Sequence, residues 1–233
     1  MTILAERLEK YGFKRKKTHE CFVKMFDNQT IQTIGFNRTA HGQKFVTYLS
    51  PSPGIVYKDV LQLELKLRNL GKLKYPDYVG CMIGLPIGYL MPEDTFIEWK
   101  FKLNEDVTKE ANLMVDAIIK YGIPYMEELC DRDNAVFGLE IGKYKGQKEY
   151  MLPIFYYLRG NTQRALECID RYIKKFSVSE LEDYEIEILQ KLAEENGEVY
   201  SAENRSLKNY LEFVDNFKKM VEEDARKARG SDK

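Results

Sequence analysis

The two histidines and four cysteines are the residues whose chemistry this sequence could use most directly. His19 and Cys21 stand two positions apart, so on a strand their side chains would point to the same face. They could form a Cys–His nucleophile pair, although a base rarely approaches its nucleophile from two residues away on one strand. His41 lies in the turn-forming segment Ala40–Gln43, which favours an exposed, structural role.

The cysteines Cys21, Cys81, Cys130 and Cys168 are widely spaced along the chain, and no CxxC pair occurs. Zinc sites of the finger type need close pairs, and disulfide-stabilised secreted proteins are usually shorter and richer in cysteine. Four reduced and mostly buried thiols are therefore expected.

Cofactor motifs are missing from the glycine-containing segments. Gly80–Gly84 matches neither the dinucleotide-binding pattern nor a P-loop. Asp131–Asn134 begins like a calcium loop but lacks the glycine and the terminal glutamate in register, which favours a helix-ending turn. The sequence therefore predicts no cofactor, no metal site and no catalytic residue. An enzyme whose site is assembled from distant residues is one functional hypothesis, and it ranks third, behind protein binding and nucleic-acid binding.

Charge is distributed unevenly along the chain. Residues 1–80 contain 14 Lys and Arg against 7 Asp and Glu, whereas the remainder contains 22 against 30. The basic excess is sharpest in one turn. Such a cluster can bind phosphate or an acidic protein face, and the simpler interpretation is a turn exposed to solvent. That turn consists of Lys14, Arg15, Lys16 and Lys17. The acidic excess is sharpest in a predicted helix, at Glu180, Glu182, Asp183, Glu185 and Glu187.

Strand patterns dominate the first half of the chain. An N-terminal helix is expected to end at Gly12, before a hairpin made by Glu20–Phe26 and Thr30–Asn37. Phe45–Leu49 predicts another strand, and the prolines of Pro51–Gly54 predict a loop after it.

Two later segments alternate apolar and polar residues. Every second residue of Leu61–Leu67 is leucine, and Ile97–Leu103 alternates in the same way, so each predicts a strand with one covered face. Val79–Leu90 between them is apolar but interrupted by glycine and proline, which favours a bulged or edge strand.

Helical spacing dominates the second half. A helix is expected to begin near Asn104 or Asp106 and to end at Gly122–Pro124. Three more helical segments follow: a hairpin turning at Arg159–Asn161, a helix opened by the capping box Ser179–Glu182, and a last helix over Leu207–Val221.

The order of these elements predicts an α+β protein. We expect an antiparallel sheet of about five or six strands with an N-terminal helix, followed by a helical C-terminal half. Residues 1–130 would form the sheet domain, residues 135–228 a helical region that packs on it or forms a small appended bundle, and residues 229–233 a frayed tail.

No apolar run approaches the ~20 residues that cross a bilayer. The first residues carry Glu6, Arg7, Glu9 and Lys10 among their apolar positions, which interrupts the apolar stretch of a signal peptide. A cytoplasmic protein without membrane contact is therefore predicted.

The segment Leu8–Lys16, followed by the Cys21–Asn37 hairpin, resembles the opening of the bacterial domain of unknown function family 4304. The step Ile123–Met126 after a long helix looks like a later part of the same family, so the resemblance covers about residues 1–130. It implies a small bacterial accessory protein and carries over no activity and no catalytic residue.

We expect the protein to be a non-enzymatic protein-binding protein, because no catalytic set converges while tyrosines and charged surfaces are abundant. A more specific form of this hypothesis is an immunity protein or antitoxin that occludes a toxin through the acidic residues 180–187. The alternative is a nucleic-acid-associated module that uses Lys14–Lys17 and the neighbouring aromatic residues, although Phe13 itself is expected to pack under the sheet while the lysines face water.

Overall fold

An antiparallel sheet organises the first half of the chain in a computed structural model, which describes residues 2–71, 80–144, 148–178, 191 and 205–230. The strands pair in the order β1-β2-β3-β4-β5, and β6 pairs with a second part of β4. The described strands are β1 (Lys14–Lys16), β2 (Cys21–Met25), β3 (Thr30–Thr39), β4 (Val46–Tyr57), β5 (Ile83–Gly84) and β6 (Trp99–Lys102).

Helices precede the strands, separate β4 from β5 and follow β6. Those in the described ranges are α1 (Thr2–Glu9), α2 (Lys58–Leu67), α3 (Thr108–Ala117), α4 (Ile123–Cys130), α5 (Arg132–Glu140), α6 (Lys148–Leu158), α7 (Thr162–Val178) and α8 (Arg205–Gly230). The prediction of an α+β protein with an N-terminal helix, an antiparallel sheet and a helical C-terminal half is confirmed.

One face of the sheet, here called the inner face, packs on helices. Phe22, Ile34 and Ile55 project from it and are fully buried. At its edge the Tyr57 hydroxyl donates to the carbonyl of Leu129 in α4. Burial of these large apolar side chains is the main source of the sheet's stability.

The opposite face, here called the outer face, is only partly covered. Val23, Ile31 and Val56 form a small buried cluster there, against which Leu61 and Met82 pack. The residues farther along the same strands are small or polar, and a cavity opens on this face where the covering ends.

Two prolines lie inside β4, although the prediction placed a loop at Pro51–Gly54. Pro51 and Pro53 stand opposite Phe36 and Ile34 of β3 in unbroken register. The Pro53 carbonyl accepts from Leu85 N (3.3 Å), on the side of β5. In an antiparallel strand the N and O atoms of one residue point to the same side, so the nitrogen atoms of both prolines face away from β3. The ladder with β3 therefore loses no hydrogen bond through the missing N–H groups.

The predicted strand at Leu61–Leu67 is wrong, because this segment belongs to helix α2. Its buried residues are Val60, Glu64 and Leu67, whose spacing of four and three is helical. Leucine, glutamine, glutamate and lysine all favour helix, so propensity overrides the alternation. Glu64 occupies a buried position and pairs with Arg68 one turn later (2.6 Å). Because a charged residue takes one of the buried positions, the apolar residues alone do not show the helical period.

The helix predicted to end at Gly122–Pro124 instead continues. Ile118–Gly122 forms one π-helical turn between α3 and α4, and Ile123 N donates to Ile118 O across it. Pro124 lies at the start of α4, where the missing N–H costs little. The wider turn lets the chain pass proline without leaving the helix.

The chain divides into two units. The first comprises residues 1–62 and 72–148, and the second comprises residues 63–71 and 149–233. The boundary falls within α2. Of the tail predicted at 229–233, residues 229–230 end α8 and residues 231–233 lie outside the described part.

The second unit has an aromatic core. Tyr150 of α6 contacts Tyr210 and Phe213 of α8 edge-on, with ring centroids 5.5 and 5.0 Å apart. The Arg68 guanidinium stacks over the Tyr150 ring at 4.1 Å and so joins the end of α2 to this core. None of the described helices is both long enough and apolar enough to traverse a bilayer.

Candidate binding sites on the sheet

A groove opens at the distal end of the inner face. It has a volume of about 710 Å³ and lies between the β3–β4 loop and the end of β6. Its lining residues are Arg38, Thr39, Ala40, Gln43, Phe45, Val46, Thr47, Phe101, Lys102 and Leu103. We call this surface the Phe45 groove.

Two large apolar side chains of the groove lie in solvent. Phe45 is 74% exposed and Leu103 is 64% exposed. Leu103 N donates to the Phe45 carbonyl at 2.9 Å, so the two residues are tied together through the backbone. Neighbouring exposed apolar residues of this kind are typical of surfaces that bind another protein.

The backbone of Phe45 has an uncommon conformation. Its φ is +62°, in the left-handed region that glycine and asparagine adopt readily and a bulky aromatic residue does not. Such strain costs about 1–2 kcal/mol per residue. Phenylalanine at this position is therefore less favourable for the backbone than glycine would be.

Cations flank the apolar part of the groove. Arg38 lies 3.8 Å from Glu20, and Lys102 lies 2.8 Å from Glu105. All four side chains are at least 44% exposed. Because exposed ion pairs contribute little free energy, an incoming carboxylate could exchange for either acid.

A second cavity, here called the outer pocket, lies on the outer face. It has a volume of about 400 Å³ and is lined by His19, Cys21, Thr33, Gly35, Phe36, Asn37, Ser52, Gly80, Cys81, Gly84, Leu85 and Pro86. Residues from β2, β3 and β4 make its floor, and the segment 80–86 makes its wall. The lining residues are spread over 68 positions of the chain, from His19 to Pro86, so no single short segment of the sequence indicates this cavity.

The floor of the outer pocket combines a gap with a polar pair. A Cβ atom built on Gly35 would meet nothing within 4 Å, so the gap lies directly above this glycine. Ser52 stands opposite Gly35 in the β3–β4 register, and the Asn37 side-chain amide donates to the Ser52 hydroxyl oxygen at 3.1 Å. Accepting that bond leaves the Ser52 hydroxyl hydrogen able to point into the cavity.

The wall approaches the sheet closely because two glycines allow it. A Cβ on Gly54 would lie 2.8 Å from the Cys81 Sγ, and a Cβ on Gly84 would overlap the same sulfur atom. Desolvation by this packing raises the pKa of the Cys81 thiol, although the residue as a whole is exposed. Burial also raises the pKa of Cys21, against the smaller opposing effect of the Lys16 ammonium.

These thiols are consequently protonated at neutral pH, which is unfavourable for nucleophilic catalysis. His19 ends the 3₁₀ turn and Cys21 begins β2, so the two residues do not share a strand as the sequence suggested, although both line the outer pocket. The other histidine, His41, hydrogen-bonds Glu98 (2.7 Å) and packs edge-on against Tyr48 at the surface.

The basic turn does not form one surface. Lys14, Arg15 and Lys16 form β1, so Lys14 and Lys16 point to one face of the sheet and Arg15 points to the other. Lys17 begins the following 3₁₀ turn. Phe13 is 1% exposed, which confirms the expectation that its ring is buried, whereas Tyr11, two residues earlier, is 42% exposed.

The acidic residues proposed as the partner contact, Glu180, Glu182, Asp183, Glu185 and Glu187, lie outside the described residues. Asp131 is the N-cap of α5 and accepts from the backbone N–H groups of Asp133 and Asn134. Across the described ranges, no three His, Cys, Asp or Glu side chains are arranged to hold a metal ion.

Sequence reasoning missed both cavities for different reasons. The Phe45 groove depends on one left-handed residue, for which phenylalanine gives no signal. The outer pocket had a partial signal in its small residues, since Gly35, Gly54 and Gly84 lie within strands where glycine often marks a close approach or a gap. Comparisons of the chain with protein-family models, curated proteins and solved structures gave no match.

Proposed function

We propose that this chain is a non-enzymatic protein-binding protein whose partner docks in the Phe45 groove. The observation that supports this proposal is the side chain of Phe45, which is 74% exposed on a left-handed backbone. Aromatic residues are enriched among the residues that dominate interface energy, and this ring is accessible to a partner without any rearrangement of the fold.

The chemistry of the groove defines the partner. Apolar contact with Phe45, Phe101 and Leu103 requires an aliphatic or aromatic side chain on the partner. Arg38 and Lys102 on the flanks favour carboxylates beside it. The partner segment would therefore combine one large apolar residue with flanking Asp or Glu.

A narrower proposal makes the protein an immunity protein or antitoxin of bacterial type. It rests on the acidic residues 180–187 and on the resemblance to family 4304, both of which stay predictions. A cationic toxin would meet those acids, whereas the Phe45 groove selects an acidic segment. The two surfaces thus predict different partners, or two regions of one partner.

The decisive experiment is affinity capture of the tagged protein from its source cells after nuclease treatment, followed by native mass spectrometry. The wild-type chain is compared with Phe45→Ala, which removes the ring but keeps the backbone strain. The matched control is Phe26→Ala, because Phe26 is also exposed (55%) but does not line the groove. We expect a stoichiometric protein with the wild type and with Phe26→Ala, and at least about a tenfold loss with Phe45→Ala.

Equal capture by all three proteins would refute docking in the groove while leaving a protein-binding role elsewhere. Capture that disappears on nuclease treatment, and that weakens steeply with salt, would support the nucleic-acid alternative through Lys14–Lys17 instead. Recovery of the protein alone, from lysates prepared at low salt, would contradict the protein-binding proposal.

A further inference from the structure

We propose that the outer pocket binds a small organic carboxylate with a short apolar tail. This site is separate from the Phe45 groove, since the two sets of lining residues have no member in common. The volume of about 400 Å³ falls within the usual range of small-molecule sites, roughly 300–1,000 Å³.

The cavity is built into the sheet. Its floor needs small residues at neighbouring register positions, and the strands supply Gly35 and Ser52 opposite each other, with Cys21 on the adjoining strand. A side chain at position 35 would fill the cavity without meeting any atom within 4 Å of its Cβ. Glycine is therefore not required there by contact with a neighbour, and its effect is to leave space.

The distribution of polar groups selects an anion. The described residues that line the pocket include the donors His19, Asn37 and Ser52 and include no carboxylate. Lys16 stands opposite Cys21 in the β1–β2 register, which places a cation at the edge of the same face. A carboxylate would accept from the Ser52 hydroxyl, which is oriented by the bond from Asn37.

The remaining walls select an apolar tail. Leu85 and Pro86 are aliphatic, and the thiols of Cys21 and Cys81 are neutral and weakly polar. The Phe36 side chain points to the inner face, where its ring packs edge-on against Phe22, so this residue lines the pocket with its backbone. An aliphatic chain of a few carbons therefore fits better than a sugar or another highly hydroxylated molecule.

The test is a titration of the full chain with sodium butyrate, followed by amide chemical shifts in ¹H–¹⁵N NMR spectra. Butyramide is the uncharged control of the same size. We expect saturable shifts, with a dissociation constant below about 10 mM, centred on Cys21, Gly35, Asn37 and Ser52. Butyramide should bind at least about tenfold more weakly, since it lacks the negative charge.

Two variants localise the binding. Gly35→Leu should fill the cavity and abolish the shifts, and Ser52→Ala should weaken binding by about tenfold. The matched control is Ser50→Ala, which removes a hydroxyl from the same face of β4 but from outside the pocket lining. Dispersed amide spectra of each variant show that it is folded.

Binding of butyrate that is lost in Gly35→Leu and kept in Ser50→Ala would support the proposal. Three results would overturn it: no saturable shift up to about 10 mM, equal binding of butyramide, or unchanged binding by a folded Gly35→Leu protein.

Discussion

Arg132 donates two parallel hydrogen bonds of 2.7 and 2.8 Å to the carboxylate of Asp59, and they join the first turn of α5 to the first turn of α2. Both side chains are about 30% exposed, and the guanidinium also lies 5.2 Å from the centre of the Tyr57 ring. The hydrogen bond to Asp59 raises the pKa of Arg132, so the pair stays charged wherever the carboxylate is ionised.

This geometry predicts a measurable coupling. In a double-mutant cycle with Asp59→Asn and Arg132→Gln, we expect a coupling energy of about 1 kcal/mol in the free energy of unfolding, because the contact is bidentate and partly desolvated. The comparable cycle for Lys102 and Glu105, which are more exposed, should give a value near zero. Equal coupling in the two cycles would show that the second hydrogen bond adds nothing.

Phe45→Gly should stabilise the protein although it removes a large side chain. Glycine adopts a φ of +62° without strain, and the ring it replaces is 74% exposed, so little packing is lost. We expect an increase of about 1 kcal/mol in the free energy of unfolding, measured by denaturant titration. Phe45→Ala keeps the strained backbone and should show no such gain. A loss of stability in Phe45→Gly would mean that the ring packs on the fold.

Gly54→Ala should detach the wall of the outer pocket. The new methyl group would collide with the Cys81 side chain and with the carbonyl of Ile83, and a backbone atom cannot rotate away. We expect a loss of about 1–3 kcal/mol and faster alkylation of Cys81 by iodoacetamide at neutral pH. The reason for faster alkylation is that solvation would return the pKa of the thiol toward its ordinary value.

The control for that measurement is Cys168, whose position in α7 is remote in the chain from Gly54 and which is 1% exposed. Its alkylation rate should not change under native conditions. Faster reaction at both cysteines would indicate global unfolding instead of a local opening.

Glu64→Gln should change how stability depends on pH. Burial raises the pKa of Glu64 above its usual value, more than the hydrogen bond from Arg68 lowers it. A raised pKa in the folded state favours the protonated form, so stability is present below the unfolded pKa and is lost as pH rises through the folded pKa. Glutamine does not titrate, and the advantage of Glu64→Gln over the wild type should therefore grow from acid to neutral pH.

Thermal unfolding followed by circular dichroism between about pH 4 and 7 measures this difference, which should stay below about 2 kcal/mol. An advantage that shrinks with rising pH would instead show that the ion pair with Arg68 outweighs the desolvation of the carboxylate.

The parts of the fold that could be predicted are those set by neighbouring residues. The β2–β3 hairpin is one example, because Asp27 accepts from the backbone N–H groups of Gln29 and Thr30 at 2.7 Å each and so forms the turn locally. β6 is another, since its burial alternates as its sequence does: Trp99 and Phe101 are covered at least in part, and the two lysines that follow them are exposed.

The parts that could not be predicted depend on residues distant in the chain. The strand predicted at Leu61–Leu67 is wrong because its strict alternation indicates a strand more strongly than its residues indicate a helix, and because the pattern places the buried Glu64 on the solvent side. The two candidate sites are harder still. The outer pocket forms only when the segment 80–86 folds onto β3 and β4. No pattern of residues within a short segment of the sequence predicts that contact.

The prolines of β4 have a consequence for the assembly of the chain. β6 pairs with Val46–Leu49 and β5 pairs with Gly54–Ile55, so that edge of β4 is occupied by two short strands with Pro51 between them. An extended segment from a second copy, even if it displaced both short strands, would find two missing donors in the middle of its path. The longest strand of the sheet is thereby a poor template for chain-to-chain pairing during folding, when its edge is still open.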